Sequence, residues 1–133
     1  MIDNKGRGHQ GEHIVAAFLF GQGWQATIID AVGYDIVATS KGRVIRLQVK
    51  STEKALLSRN TRRYGFTVGM GREKHIRNNE DHYNILALCA CDTGNIYFIP
   101  AAEVNRKTYK FNKEFFHDKN LSTRSWKRTI GLI

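Results

Sequence analysis

The chain has 133 residues, 41% of them hydrophobic, which is the composition of a globular domain and not of a disordered segment. Its 21 lysines and arginines outnumber its 12 acidic residues and give a net charge of +9, so a polyanionic partner such as DNA or RNA is favoured. The longest apolar run, 14–20, is far shorter than the ~20 residues of a membrane span. We expect a single domain over 1–133, without a signal peptide and located in the cytoplasm.

The first half of the chain predicts one helix followed by three strands. Apolar residues recur at helical spacing over 9–21, and Gly21 and Gly23 stop the run. Strands are expected at 24–29, 35–39 and 43–51, with a tight turn at Lys41–Gly42. The third strand alternates clearly between two faces, with Ile45, Leu47 and Val49 on one and Arg46, Gln48 and Lys50 on the other.

The second half predicts a basic excursion, two strong strands and a mixed tail. Residues 52–63 are polar and basic and are expected to form a loop, 64–68 a short strand, and 69–81 an irregular charged segment. Strong strands follow at 83–91 and 95–99, then a short helix after Pro100. In the tail we expect four apolar residues to dock on the core: Trp126, Ile130, Leu132 and Ile133. This order predicts an α/β fold, a mixed β-sheet flanked by helices.

Residues 6–13, GRGHQGEH, match three short motifs. The spacing G-x-G-x-x-G matches a dinucleotide-binding fingerprint, but that motif needs a strand before its glycines and only five residues precede Gly6. The spacing H-x-x-E-H matches an inverted zinc-protease motif, yet Gly11 weakens the helix between the histidines, and a third ligand would have to come from charged, loop-like sequence. The remaining interpretation is the start of a helix that carries one carboxylate, Glu12, into a nuclease site.

Downstream residues favour this third interpretation. Asp35 opens an apolar strand, and Gln48 and Lys50 share one face of the next strand across a hairpin. If the hairpin turns at Lys41–Gly42, the Asp35 carboxylate comes near Gln48 and Lys50, and Glu12 can approach from the first helix. We therefore expect these four residues to form the catalytic site.

The four residues resemble the signature of the PD-(D/E)XK nucleases. The usual Pro-Asp is here Tyr34-Asp35, and the usual acidic residue of (D/E)-x-K is Gln48, followed by Val49-Lys50. This glutamine variant is similar to that of the group I intron homing endonucleases of the superfamily. The opening 6–12 also resembles archaeal-type Holliday junction resolvases, which share the restriction-endonuclease-like fold.

The resemblance implies a metal-dependent hydrolysis of phosphodiester bonds. Asp35 and the backbone carbonyl of Val49 would hold Mg²⁺ or Mn²⁺ through oxygen atoms, which such hard cations prefer. Glu12 would bind a second ion or a water molecule. Lys50 would orient or deprotonate the attacking water and offset the growing negative charge. Gln48 is neutral, so the site should bind its metal more weakly than one with a carboxylate there.

Basic side chains in three regions are candidates for DNA contact, mostly through phosphates. They are Lys5, Arg7 and Gln10 beside the site; Arg59, Arg62, Arg63, Arg72, Lys74, His75 and Arg77 in an excursion over about 52–81; and Arg124, Lys127 and Arg128 near the end. The sequence thus predicts a Mg²⁺-dependent endonuclease acting on double-stranded DNA, of the homing type, assembled as a homodimer or homotetramer. The alternatives are a junction resolvase of the same fold and a DNA-binding protein without catalysis.

Overall fold

The computed structural model describes residues 4–31, 33–69 and 82–133, with only the backbone for 4–7, 30 and 31. Within these residues the secondary structure is α1 (Asn4–Gly21), β1 (Gln25–Ala31), β2 (Tyr34–Ser40), β3 (Arg43–Thr52), β4 (Leu56–Ser58), β5 (Thr61–Thr67), β6 (Ile85–Ala90), β7 (Asn95–Pro100), a 3-10 helix (Ala101–Glu103), β8 (Thr108–Asn112), α2 (Lys113–Phe116) and α3 (Leu121–Ile130). None of the helices in the described part of the chain is long and apolar enough to cross a membrane.

Five strands form the larger sheet, in the order β1-β2-β3-β6-β7. Among the described strands of this sheet, β3 and β6 run parallel, and the other neighbours are antiparallel. Every residue of β6 is buried, as expected for a strand covered on both faces. The predicted α/β fold with a mixed sheet is therefore confirmed.

The alternation of β6 separates two hydrophobic cores. Ile85, Ala87 and Cys89 face the first core, which contains Val15 and Leu19 of α1. This core also holds Trp126 of α3, whose ring makes edge contacts with Trp24, Phe18 and Phe98. The helices α1 and α3 thus cover this face of the larger sheet.

The second core lies on the opposite face of β6. Leu86, Leu88 and Ala90 point into it, together with Tyr64 and Phe66 of β5. Its cover is a separate three-stranded antiparallel sheet, ordered β4-β5-β8, with the short helix α2 beside it. One face of the larger sheet is therefore covered by helices and the other mainly by a second sheet.

Several local predictions need correction. Residues 52–63 were expected to form a loop, but they include β4 and the first part of β5, which pair as a hairpin. The strand β8 in the tail was not predicted. Leu132 and Ile133 do not dock on the core, since they remain 57% and 41% exposed. The segment expected to be irregular, 69–81, lies outside the described residues from position 70 onward.

Candidate active site

The hairpin of β2 and β3 brings Asp35 and Gln48 together. Its turn uses Lys41 and Gly42, both with positive φ, and Ile36 pairs with Leu47 across it. The Gln48 side chain donates a hydrogen bond from Nε2 to Asp35 Oδ2 over 3.1 Å. The backbone N–H of Val49 donates to the same oxygen over 2.8 Å. The Asp35 carboxylate is therefore held in a fixed orientation against β3.

Lys50 lies on the same face of β3 as Gln48. The buried residues Ile45, Leu47 and Val49 face the first core, so the half-buried Gln48 and Lys50 point to the opposite side. Lys50 follows Gln48 by two residues, which is about 7 Å along a strand. The row Asp35, Gln48 and Lys50 thus lies on the face that also carries the second core.

Glu12 comes from α1, on the other side of β3. Its neighbour Gly11 packs so closely on β3 that a Cβ atom there would overlap the side chain of Ser51. Glu12 is 8% exposed, and His9 Nδ1 lies 3.3 Å from its Oε1. The turn of α1 with Glu12 therefore lies at the end of β3 that carries Lys50, but the helix approaches from the opposite face. His13 is exposed.

The oxygen donors fit a hard divalent cation better than zinc. In the described ranges, no three His, Cys, Asp or Glu side chains are grouped so that they could hold a metal. Asp35 supplies one carboxylate. The amide nitrogen of Gln48 donates its hydrogen bond to Asp35, so the Gln48 Oε1 atom remains to coordinate a cation. Mg²⁺ is commonly held by one or two carboxylates with water completing its shell, and this donor set suits that pattern.

The basic candidates fall into separate regions of the fold. Arg59, Arg62 and Arg63 are exposed on the β4–β5 hairpin, and Gln10 is exposed on α1. The side chains of Lys5 and Arg7 lie outside the described residues, as do Arg72, Lys74, His75 and Arg77.

The three basic candidates near the end of the chain lie on α3. Arg124 donates to Asp118 over 2.6 Å and lowers the pKa of that carboxyl, and Arg128 donates to Glu103 over 2.9 Å. Lys127 is exposed. Because two of the three cations already have acidic partners, α3 is a weaker candidate for DNA contact than the hairpin.

Two residues near these sites were not singled out in the sequence. His82 lies against Gly33, where an added Cβ would come within 2.8 Å of His82 Nδ1, and Gly33 is two residues before Asp35. No local pattern in the sequence indicates this contact. Lys110 pairs with Gly65 across β5 and β8, next to Arg63. The alternation of aromatic and polar residues in 108–112 was a signal for this strand and could have revealed Lys110.

Comparison with known proteins agrees with this geometry. The family profile described as PD-(D/E)XK endonuclease matches residues 2–125, and the chain belongs to this family of endonucleases. The predicted family is therefore confirmed. No curated protein sequence matches the chain.

The fold is shared with solved structures, among them the following two. A bacterial homing endonuclease aligns with a TM-score of 0.64 and 16% identity, over 82% of this chain and 78% of its own. The Holliday junction resolvase Hjc of Archaeoglobus fulgidus aligns with a TM-score of 0.50 and 15% identity, over 83% of this chain and 87% of its own. At such low identity the similarity establishes the restriction-endonuclease-like fold alone.

Proposed function

We propose that this chain is a divalent-metal-dependent endonuclease that hydrolyses phosphodiester bonds of double-stranded DNA, with Asp35, Gln48, Lys50 and Glu12 as its catalytic residues. The observation that carries this proposal is the Asp35 carboxylate, oriented by Gln48 and the Val49 N–H, with Lys50 on the same face. The family assignment supports the reaction class. The net charge of +9 supports a nucleic acid substrate.

The metal site would use oxygen atoms of Asp35, Gln48 and the Val49 carbonyl, with Mg²⁺ or Mn²⁺ as the ion. A bound cation supplies Lewis-acid polarisation of the scissile phosphate and lowers the pKa of water. Because Gln48 is neutral, we expect weak binding that requires a high Mg²⁺ concentration.

The side chains carry out the remaining steps. The ammonium group of Lys50 orients the attacking water and offsets the negative charge that grows on the phosphoryl oxygens. The water oxygen forms a bond to phosphorus and gives up one proton to solvent, the bond from phosphorus to the leaving oxygen breaks, and that oxygen takes up a proton from solvent. Glu12, at the same end of β3, would coordinate a second ion or accept a hydrogen bond from a water molecule. One centre cuts one strand, so a double-strand break requires at least a homodimer.

The test is cleavage of supercoiled plasmid with Mg²⁺ and with chelator. We expect cleavage with Mg²⁺ only, and loss of cleavage in Asp35→Asn and Lys50→Ala with DNA binding kept within about tenfold. Lys41→Ala removes a similar cation from the far end of the same hairpin and should cleave like the unaltered protein. Full activity of Asp35→Asn would refute the site, and DNA binding without any cleavage by the unaltered protein would indicate a non-catalytic DNA-binding protein.

The substrate is proposed to be a linear duplex with a preferred sequence, as for a homing endonuclease. The structural similarity to a bacterial homing endonuclease has the higher TM-score of the two. A competition in Ca²⁺, which prevents cutting, between a selected duplex and an immobile four-way junction decides between the two substrates. We expect the duplex to bind at least ~10³-fold more tightly than random DNA. If the junction binds more tightly than the duplex, whatever the sequences of its arms, the chain is a junction resolvase.

A further inference from the structure

The β4–β5 hairpin presents an exposed tip on a firmly held base. Tyr64 and Phe66 of β5 are almost completely buried in the second core, which fixes the base of the hairpin. At the tip, Arg59 and Asn60 form a two-residue turn in which both have positive φ, 49° and 67°. Glycine is usually favoured there, since a side chain in this region costs about 1 kcal/mol or more. The turn therefore presents the exposed side chains of Arg59 and Asn60 at the end of the hairpin.

The outer face of the small sheet continues the basic surface of the tip. Arg63 pairs with Leu56 on one side, and Lys110 pairs with Gly65 on the other. These residues border an open groove of about 240 Å³. Gly65 lies at its floor, and a Cβ atom added to Gly65 would meet no other atom within 4 Å. Neither Arg63 nor Lys110 takes part in an ion pair within the described part of the chain.

The hairpin also lies on the side of the larger sheet that carries the candidate active site. Gln48 and Lys50 pair with Leu86 and Leu88 of β6, and paired residues in a parallel ladder share a face. Those two leucines pack in the same core as Tyr64 of the hairpin. Arg59 at the tip follows Lys50 by nine residues, which can span at most about 32 Å. This is less than one turn of duplex DNA, about 34 Å.

We propose that the β4–β5 hairpin enters the major groove of duplex DNA, where Arg59 and Asn60 read base edges while Arg63 and Lys110 hold the adjacent phosphates. This inference rests on the proposed nuclease function and assigns the specificity-determining residues to one hairpin. The major groove is about 12 Å wide and accepts a two-stranded ribbon. Arginine donates two hydrogen bonds to guanine, and asparagine pairs in the same way with adenine.

Charge selects DNA over a second copy of the chain as the partner of this surface. Leu56 and Leu57 are 63% and 64% exposed, so apolar contact with a protein would be available. A symmetric contact through this face would, however, bring Arg63 and Lys110 of both copies together, and these like charges would repel each other. A polyanion gains from the same arrangement, and the two leucines can contact the sugars or thymine methyl groups.

The experiment compares two variants with matched turns. Arg59→Gly/Asn60→Gly leaves a Gly-Gly turn that accepts positive φ, so the hairpin should stay folded. Lys41→Gly is the control, since it creates a Gly-Gly turn at Lys41–Gly42 and removes one cation elsewhere. Each protein is incubated in Ca²⁺ with a pool of duplexes of random sequence, and the bound duplexes are sequenced. Plasmid cleavage in Mg²⁺ and the thermal midpoint are measured in parallel.

We expect the unaltered protein and the control to select the same motif. The tip variant should lose about 10- to 100-fold of its preference at one or two neighbouring base pairs, while it still cleaves DNA and keeps its thermal midpoint. Selection of an unchanged motif by the tip variant would overturn the proposal. Cleavage without any sequence preference in the unaltered protein would also overturn it and leave the nuclease function intact, whereas a protein that neither binds nor cleaves duplex DNA would refute the proposed function itself.

Discussion

Gly11 is the residue at which α1 meets β3. A Cβ there would overlap the Ser51 side chain, whereas a Cβ at Gly8 of the same helix would meet nothing within 4 Å. Gly8 and Gly11 of the GRGHQGEH segment therefore differ in role. Gly11 allows the close approach that sets the position of Glu12, and Gly8 only lowers helix propensity.

This difference predicts opposite effects of the same substitution. Gly11→Ala should destabilise the protein by about 1–3 kcal/mol, because the helix must move away from β3, and it should reduce cleavage by displacing Glu12. Gly8→Ala should stabilise by up to about 1 kcal/mol. Urea denaturation and plasmid cleavage of both variants provide the measurements. Equal stability of the two variants would show that α1 does not rest on Ser51.

Gln48 orients Asp35 without adding charge. In Gln48→Glu two carboxylates would face each other, so the metal-free protein should melt at a lower temperature, and less Mg²⁺ should be needed for half-maximal cleavage. Cleavage against Mg²⁺ concentration and melting with chelator are the two measurements. Loss of cleavage at every Mg²⁺ concentration, with a normal melting temperature in Mg²⁺, would instead mean that the amide donor to Asp35 is required.

The proximity of Asp35 and Gln48 followed from the sequence because a two-residue turn fixes the register of a hairpin. The position of Glu12 did not, since it depends on how α1 packs on the sheet, and a helical period does not determine which face of a sheet is covered. The contact of His82 with Gly33 joins residues far apart in the chain and leaves no local pattern in the sequence.

At the scale of elements, α3 covers the free edge of β7 with hydroxyl groups. Ser122 Oγ accepts the N–H of Ile96 over 2.8 Å, and Ser125 Oγ accepts the N–H of Phe98 over 3.0 Å. Thr129 Oγ1 donates to the carbonyl of Phe98 over 3.1 Å. Backbone N–H and carbonyl groups of this edge strand, which would otherwise be unpaired, thus have hydrogen-bond partners.

Removal of one of these hydroxyls should be costly. Ser125→Ala leaves the buried N–H of Phe98 without its acceptor, so we expect a loss of about 1–3 kcal/mol in the free energy of unfolding. Thr123→Ala, on a less buried position of the same helix, should change stability little. Chemical denaturation of both variants tests this, and similar stabilities would mean that water replaces the lost hydroxyl.

Tyr64 connects β5 to two other elements. Its hydroxyl donates to Asp92 over 3.0 Å in the β6–β7 turn and lies 3.1 Å from His117 Nε2 after α2. Burial, and then the hydrogen bond to Asp92, raise its pKa from 10.0 to about 12. The folded protein thus keeps the phenol protonated at a higher pH than the unfolded chain does. This contribution to stability is complete below pH 10 and is lost as the pH rises from 10 to about 12.

We therefore expect Tyr64→Phe to be less stable than the unaltered protein at pH 8, where the phenol hydrogen bonds are present. Between pH 10 and 11.5 the unaltered protein should lose more stability than the variant does, so the difference narrows. Urea denaturation at a series of pH values measures this. A difference that stays constant over the series would mean that the Tyr64 phenol titrates alike in both states.

The elements missed in the sequence are those at the surface. The strand β4 has no buried hydrophobic face, and its exposed leucines lie next to a basic turn. The strand β8 does alternate, with Tyr109 and Phe111 packed against the second core, but it has only five residues. Their pairing is fixed by β5, whose Tyr64 and Phe66 are buried. The strands β3, β6 and β7 were predictable because burial imposes alternation or continuous apolar sequence on them.

At the scale of the whole molecule, the excess of positive charge should act through particular surfaces. The hairpin cations Arg62 and Arg63 are exposed and form no ion pair in the described part of the chain, whereas Arg124 and Arg128 are paired with Asp118 and Glu103. Both pairs of arginines contribute equally to net charge. Only the first pair is available to phosphates without breaking an existing contact.

Salt dependence of DNA binding separates these two contributions. Each phosphate contact contributes about 0.9 to the slope of log K against log salt, so replacing both Arg62 and Arg63 by alanine should flatten the slope by about 1 to 2 units. The same replacement of Arg124 and Arg128 removes an equal charge from α3 and should leave the slope nearly unchanged. Binding of a duplex by fluorescence anisotropy in Ca²⁺, from low to moderate salt, gives both slopes. If the two double variants flatten the slope equally, net charge and not the hairpin governs binding. If only the α3 variant flattens the slope, the DNA interface lies on that helix.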